Sequence, residues 1–267
     1  MGWNSWNCWG LSVDAEKVKR CANLMISSGL ADHGWSYINI DDGWEAGRDA
    51  TGEILANNKF PDMKGLCDSI HALGLKTGIY SSPGPLTCGQ FTGSYNHEMQ
   101  DARTYARWGF DYLKYDWCSY DKVTKNYGRS ELKKPFIFMK KAIESTSRDI
   151  VYSLCQYGMG NVWEWGDSVG GSSWHTTGDI TDTWESLSMI GFYQDVCAPF
   201  TRPGNWNDPD MLVVGWVGWG PNTRPTRLTP GEQYTHVSLW ALLSSPLLLG
   251  CDLSLLDDFT MNLLTND

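Results

Sequence analysis

The chain has 267 residues and a formal net charge of −10, which argues against a polyanionic partner, because nucleic-acid binding rests on clustered Lys and Arg that neutralise phosphates. Hydrophobic residues make up 42% and charged residues 19%, a globular composition, and no apolar run approaches the roughly 18 residues that a membrane span requires. The length suits one (β/α)8 barrel as well as two small domains.

Short β-type runs alternate with amphipathic helices along the whole chain, which predicts an α/β protein with parallel strands joined by right-handed crossovers. Eight strands are expected, at 2–7, 35–41, 76–81, 112–115, 150–154, 174–179, 206–212 and 247–249. A first helix over 14–28 carries Ala15, Val18, Ala22 and Met25 at helical spacing, and another over 131–145 repeats the pattern with Leu132, Phe136, Met139 and Ile143. Two more are expected at 97–108 and 182–196. The last begins at Thr229-Pro230-Gly231-Glu232, an N-cap followed by proline at the first helical position and a capping-box Glu, and runs to about 243. Gly- and Trp-rich loops at 43–60, 82–94, 156–173 and 215–227 all follow strand ends, and long loops on a compact scaffold are more often functional than idle.

Within 111–118 the alternation of a strand puts Lys114 and Asp116 on one face and Tyr115 and Trp117 on the other. Acidic residues recur at the carboxyl ends of strands: Asp41 and Asp42, Asp116, Asp179, and Asp208 with Asp210. If the strands close into a barrel, these carboxylates converge on one mouth, the face where barrel enzymes keep their chemistry. Fifteen Trp and twelve Tyr exceed what core filling needs, and flat aromatic faces beside Asp, Asn and Gln suit a neutral polyhydroxylated ring. Paired carboxylates with aromatic walls are the equipment of glycoside hydrolysis, one ionised to attack the anomeric carbon and one protonated to assist the leaving oxygen. Asp116 fits the nucleophile, since Lys114 favours its charged form. Asp179, in a turn without an adjacent cation, fits the acid.

The eight cysteines include no CxxC pair and no Cys/His cluster at zinc spacing, so neither a structural metal nor a cofactor is expected. Cys21 and Cys67 fall on apolar helix faces, and Cys88 and Cys118 lie just beyond strands, where a bridge is geometrically possible. Residues 1–7 read as a strand and not as a signal peptide.

The runs MGWNSWN at 1–7, NIDDGW at 39–44, KYDWC at 114–118, GDITDTW at 178–184 and NWNDPDML at 205–212 resemble the signature segments of the clan D α-galactosidases, the family 27 glycoside hydrolases. The resemblance implies a (β/α)8 TIM barrel over 1–267 and a retaining double displacement that releases terminal α-galactose, with Asp116 as nucleophile and Asp179 as general acid/base. It further implies Trp6 and Tyr80 as aromatic walls, Asp41 and Asp42 for the 4- and 6-hydroxyls, Lys114 for ring hydroxyls, and Asp210 with Met211 at the far side. Cys88 and Cys118 match a disulfide that helps floor the site in relatives, and an oxidised pair would favour a secreted, periplasmic or lysosome-like compartment. The family's partner for Cys8 falls at Gly43, leaving Cys8 free. Where better-known members carry a Glu and an Arg on the 2- and 3-hydroxyl side, this chain has Gln156 and His175, so the sugar itself is open. An α-N-acetylgalactosaminidase would show small residues where Gln156 and Met159 stand, and a β-L-arabinopyranosidase would block the space that Asp41 and Asp42 serve. Relatives continue into an antiparallel β domain, so the chain reads as a catalytic core without it. More distant readings are a Schiff-base lyase built on Lys114 and a sugar-binding protein without turnover.

Overall fold

The structure, a computed structural model, describes residues 1–266. In chain order it runs β1 (Gly2–Asn4), α1 (Trp6–Trp9), α2 (Ala15–Ser27), β2 (Tyr37–Asn39), the hairpin β3 (Glu45–Arg48) and β4 (Ile54–Ala56), and α3 (Met63–His71). It continues through β5 (Lys76–Ser81), α4 (Glu98–Trp108), β6 (Tyr112–Asp116), α5 (Arg129–Glu144), β7 (Val151–Cys155), β8 (Ser173–His175) and α6 (Trp184–Tyr193). The last part holds β9 (Trp206–Asp208), the short hairpin β10 (Trp216–Val217) and β11 (Arg224–Pro225), α7 (Pro230–Leu242), β12 (Leu248–Leu249) and α8 (Asp258–Leu264).

Among the described residues eight strands form one curled sheet in the order β12-β1-β2-β5-β6-β7-β8-β9, every pairing parallel. This is an α/β arrangement consistent with a (β/α)8 fold. Its two edges meet beyond β9, where Leu212 bridges to Leu249; the Leu212 amide donates to Leu248 O at 2.8 Å and the Gly250 amide to Leu212 O at 3.0 Å. All eight expected strands are present; β5, β6 and β7 fall within a residue of the expected bounds, and the other five are shorter than expected.

The pleat of β6 sorts its side chains. Tyr115 is fully buried against Phe136 of α5 and Tyr152 of β7, which turns Lys114 and Asp116 to the opposite face. Helix α7 starts as expected: the Thr229 hydroxyl and the Glu232 carboxylate complete a reciprocal capping box. Helix α4 is tied to the β3–β4 hairpin by a bidentate pair, Arg48 to Asp101 at 2.6 and 2.8 Å, the geometry that makes Arg–carboxylate contacts directional.

Four expectations are corrected. Residues 6–9 are a helical turn and not the end of a strand, because the Asn4 side chain accepts the Trp6 amide at 2.8 Å and turns the chain. The 174–179 strand ends at His175, so Asp179 stands four residues out in a loop. The 206–212 strand stops at Asp208, since Pro209 offers no amide donor and Asp210 takes a positive φ of 84°. Strands and helices also do not alternate throughout: β7 joins β8 through 3-10 turns at Val162–Glu164 and Asp167–Val169, in a stretch with Gly at 158, 160, 166, 170 and 171 that disfavours a longer helix.

Candidate active site

The acids gather at the carboxyl ends of β2, β6, β8 and β9. After β2, the Asp41 amide is held by the Ser5 hydroxyl at 3.0 Å, and one Asp41 oxygen accepts from both Asn4 (3.0 Å) and the Lys114 ammonium (2.9 Å). Lys114 therefore pairs with Asp41 and not with its strand neighbour Asp116. Burial opposes its charge, but Asp41 foremost, with Asp116 and Asp210 among its neighbours, holds the ammonium well above its ordinary range. Its charge also lies 5.5 Å from the ring centre of Tyr80.

Asp116, at the end of β6, is buried and held on both oxygens: Tyr157 donates to one at 2.6 Å and Tyr80 to the other at 3.2 Å. Burial raises its carboxyl above the ordinary Asp value, against the opposing pull of Lys114 and the Tyr157 hydroxyl, while the charges of Asp179 and Asp41 add to the rise. Asp42 is 1% exposed; burial pushes its carboxyl to about 6, although the Gly89 amide (2.6 Å) and Thr87 pull it down.

On the other side of the mouth, His175 of β8 is 4% exposed and stands between two acids, with Nδ1 4.0 Å from Asp179 and Nε2 3.9 Å from Asp210. Its Nδ1 also lies 3.4 Å from the Cys155 sulfur. Asp210 accepts the Ile180 amide at 2.7 Å and the Met211 amide at 2.8 Å, so it fixes the loop bearing Asp179, and burial raises it to about 6. The side chain of Asp179 is 60% exposed. Cys88 and Cys118 are joined by a disulfide with Cα atoms 5.0 Å apart, and Cys8 is free and buried, both as the resemblance implies.

Gln156 is buried, with its amide nitrogen donating to Met159 O at 2.9 Å. Among the described residues, Asp42 Oδ1, Gln156 Oε1 and His175 Nε2 are buried polar atoms without a hydrogen-bond partner. Each such atom costs about 1–3 kcal/mol, so their grouping around one mouth marks places where ligand hydroxyls would be taken up. Trp6 is half-buried beside this network, through Asn4, and Met211 is buried next to Asp210.

His175, Asp179 and Asp210 bring ligand atoms within 4.8 Å of one another, a set capable of holding a cation, but both Asp210 oxygens already accept backbone amides. A hollow of about 590 Å³ at the amino ends of the strands is walled by Met1, Tyr37, Tyr112, Trp206 and Leu247, with no carboxylate in its lining.

Sequence reasoning missed Tyr157. Its contact with Asp116 spans 41 residues and depends on a positive φ of 61° at a non-glycine; the one local signal is its place just past the strand end, before Gly158.

A family model described as Melibiase_2, Alpha galactosidase A, matches residues 1–267. Alpha-galactosidase 2 of Arabidopsis thaliana is 45% identical over all of this chain and 64% of its own length, and the alpha-galactosidase of Cyamopsis tetragonoloba 44% identical over all of this chain and 62% of its own. The chain thus spans just under two thirds of these curated relatives. Among solved structures, alpha-galactosidase I from Mortierella vinacea superposes with a TM-score of 0.92 at 35% identity, covering 100% of this chain and 70% of that one. With the acids, the tyrosine pair and the disulfide in place, the chain belongs to the α-galactosidase family, the family 27 glycoside hydrolases.

Proposed function

We propose that this chain is the catalytic (β/α)8 unit of a retaining, exo-acting glycoside hydrolase that releases terminal α-D-galactose. The observation that carries the reading is a pair of carboxyl groups in unlike settings: Asp116 is buried and gripped on both oxygens by Tyr80 and Tyr157, whereas Asp179 is exposed in a loop. A nucleophile must be aimed, and two hydroxyl donors aim it. An acid/base must meet the leaving group first and water afterwards, which an exposed side chain can do.

In the first half-reaction an Asp116 oxygen attacks the anomeric carbon, the glycosidic C–O bond breaks, and Asp179 gives its proton to the departing oxygen. In the second, Asp179 takes a proton from water, the water oxygen attacks the same carbon, and the Asp116 ester is released with net retention. Asp41 and Asp42 accept from the 4- and 6-hydroxyls of the sugar. The Lys114 ammonium keeps Asp41 in place, and its charge supports ionised Asp116. Because Lys114 is held charged, it is poorly suited to Schiff-base formation, which needs a free amine.

The Arabidopsis relative is named an α-galactosidase, and a structurally similar α-galactosidase from Saccharomyces cerevisiae has been solved with raffinose. A β-L-arabinopyranosidase from Geobacillus stearothermophilus is also similar in structure, with a TM-score of 0.86 at 28% identity, covering 100% of this chain and 74% of that one, so the glycone is tested directly. Nitrophenyl α-D-galactoside, α-N-acetylgalactosaminide and β-L-arabinopyranoside are compared by kcat/KM. The α-galactoside is expected to lead. Preference for either other sugar corrects the glycone, and turnover of none contradicts the hydrolase reading.

A further inference from the structure

Strand pairing brings three ligating side chains to one point. His175 ends β8, and its register partner on β9 is Asp208, so Asp210, two residues further on and turned by its positive φ of 84°, comes to the imidazole from the neighbouring strand end. Asp179 returns to the same ring from the loop after β8. With one atom taken from each, the imidazole and the two carboxylates lie within 4.8 Å of one another. One nitrogen and two carboxylate oxygens, with positions left open to outside ligands, are the kind of donor set that an open zinc site uses.

Acidic residues alone do not make a metal site; here the imidazole adds the second observation. His175 is 4% exposed and its Nε2 has no hydrogen-bond partner, a state that is costly to the fold unless a ligand meets it. That nitrogen stands 3.9 Å from Asp210. The other, Nδ1, lies 3.4 Å from the Cys155 sulfur; with Nδ1–H donating there, the ring is held in place and the Nε2 lone pair is the one left for a metal.

The carboxylates have capacity to spare. Each Asp210 oxygen accepts one backbone amide, from Met211 and from Ile180, which leaves it a second lone pair. Those amides orient the carboxylate as the supporting contacts around a metal ligand do. The Asp179 side chain is 60% exposed in its loop, so it can swing inward toward the roughly 3.3 Å between ligand atoms that zinc bonds of about 2.0–2.1 Å require. Lys114, whose charge would oppose a metal ion, is tied to Asp41 at 2.9 Å. Mg2+ and Ca2+ prefer all-oxygen sets, whereas imidazole with carboxylate suits an ion of the Zn2+ type.

We propose that His175, Asp179 and Asp210 form a site for a divalent transition-metal ion of the Zn2+ type, and that an ion held there excludes the sugar. The site stands independently of the hydrolase reading. The exclusion rests on it, because the ion would withdraw His175 and Asp179 from the substrate.

The probe is Zn2+ itself, titrated calorimetrically into the whole chain without sugar. One ion per chain is expected. His175→Gln keeps a polar side chain but not the imidazole nitrogen, and should weaken binding at least about tenfold. Asp179→Asn should weaken it as well, and, lying on an exposed side chain, it decides the matter if the first variant does not fold. Galactose at about ten times its own Kd should raise the apparent Kd of zinc about tenfold, as mutually exclusive binding requires. On nitrophenyl α-D-galactoside, zinc should raise KM and leave kcat unchanged. A parent that does not bind zinc, or binding that either substitution leaves unchanged, overturns the site. Zinc affinity indifferent to galactose overturns the exclusion. Failure of the hydrolase reading shows separately, as a parent that binds zinc yet turns over no glycoside.

Discussion

Two buried carboxylates near the mouth are treated in opposite ways. Asp182 sits three residues after Asp179. Burial opposes its ionisation, but Arg224 and Arg227, together with the Arg227 amide at 2.9 Å, outweigh it and bring the carboxyl to about 2. Asp42 is buried as well, and the Gly89 amide and Thr87 do not outweigh that burial, to which Asp41 and Asp116 add, so its carboxyl rises to about 6. The first is a clamp that fastens the loop of Asp179 to the β10–β11 hairpin. The second, on the proposed function, is a charge held ready for a ligand. A carboxylate that the fold satisfies has its donors in the protein; one that the fold leaves poorly satisfied has them in what binds.

The strongest expected effect is at the most constrained acid. Asp116→Asn should lower kcat/KM by at least roughly four orders of magnitude on every glycoside, since no ester can form. The protein should remain folded, because the substitution removes a charge that burial disfavours. Next comes Asp179→Ala, with a loss of roughly 100- to 10,000-fold on a sugar leaving group. A nitrophenyl galactoside, which departs without a proton, should be largely spared in its first step, and azide should rescue turnover to give a galactosyl azide of the substrate's own configuration. Full activity of this variant on natural substrates would move the acid/base role to Asp210.

Tyr157→Phe should cost about 10- to 100-fold, the worth of one hydrogen bond to a charged group. It also carries a signature that general loosening would not produce. Asp116 must be ionised to attack and its carboxyl is already raised, so activity falls as pH drops through a value above the ordinary Asp range; removing a donor that favours the carboxylate should move that acid limb to still higher pH. An unshifted limb would mean that Tyr157 does not act on Asp116.

The smallest effects bear on stability and differ in sign. Asp42 has a folded value of about 6, above its ordinary value of 3.8, so its contribution is full only below that ordinary value and is lost as pH rises through 6. Asp42→Asn should therefore stabilise the chain by about 1–3 kcal/mol at pH 7 and by much less at pH 4. Asp182 has a depressed value of about 2, so its contribution is present at neutral pH and lost as pH falls toward 2. Asp182→Asn should destabilise at pH 7, with a deficit that shrinks in acid. Thermal unfolding at the two pH values reads both, and shifts of the same sign would end the distinction.

Where the chain announces its structure, it does so through periodicity and capping. The charged–aromatic alternation of Lys114, Tyr115 and Asp116 set their faces correctly, and Thr229 to Glu232 marked the start of α7 to the residue. The acids were legible because they recur at strand ends. Contacts across the mouth were not: Lys114 lies two residues from Asp116 in the chain yet bonds to Asp41, 73 residues away, a pairing that only the curled sheet brings about. The β3–β4 hairpin had a readable signal in Asp49, which accepts from Thr51 and Glu53 as an Asx turn does, within a stretch expected to be loop. The rise of the Asp116 carboxyl was likewise beyond sequence, because Lys114 predicts a lowering, and burial, with smaller contributions from Asp179 and Asp41 brought near by the fold, reverses it.

The central claim is that Asp116 becomes covalently bonded to the sugar. A slow fluorinated galactosyl donor with a good leaving group should accumulate that ester, and mass spectrometry of the digested protein locates it. The account predicts one added fluorogalactosyl unit on the peptide carrying Asp116, absent from Asp116→Asn. A label on a peptide carrying Asp179 or Asp210 instead, or turnover with inversion and no adduct, would contradict it.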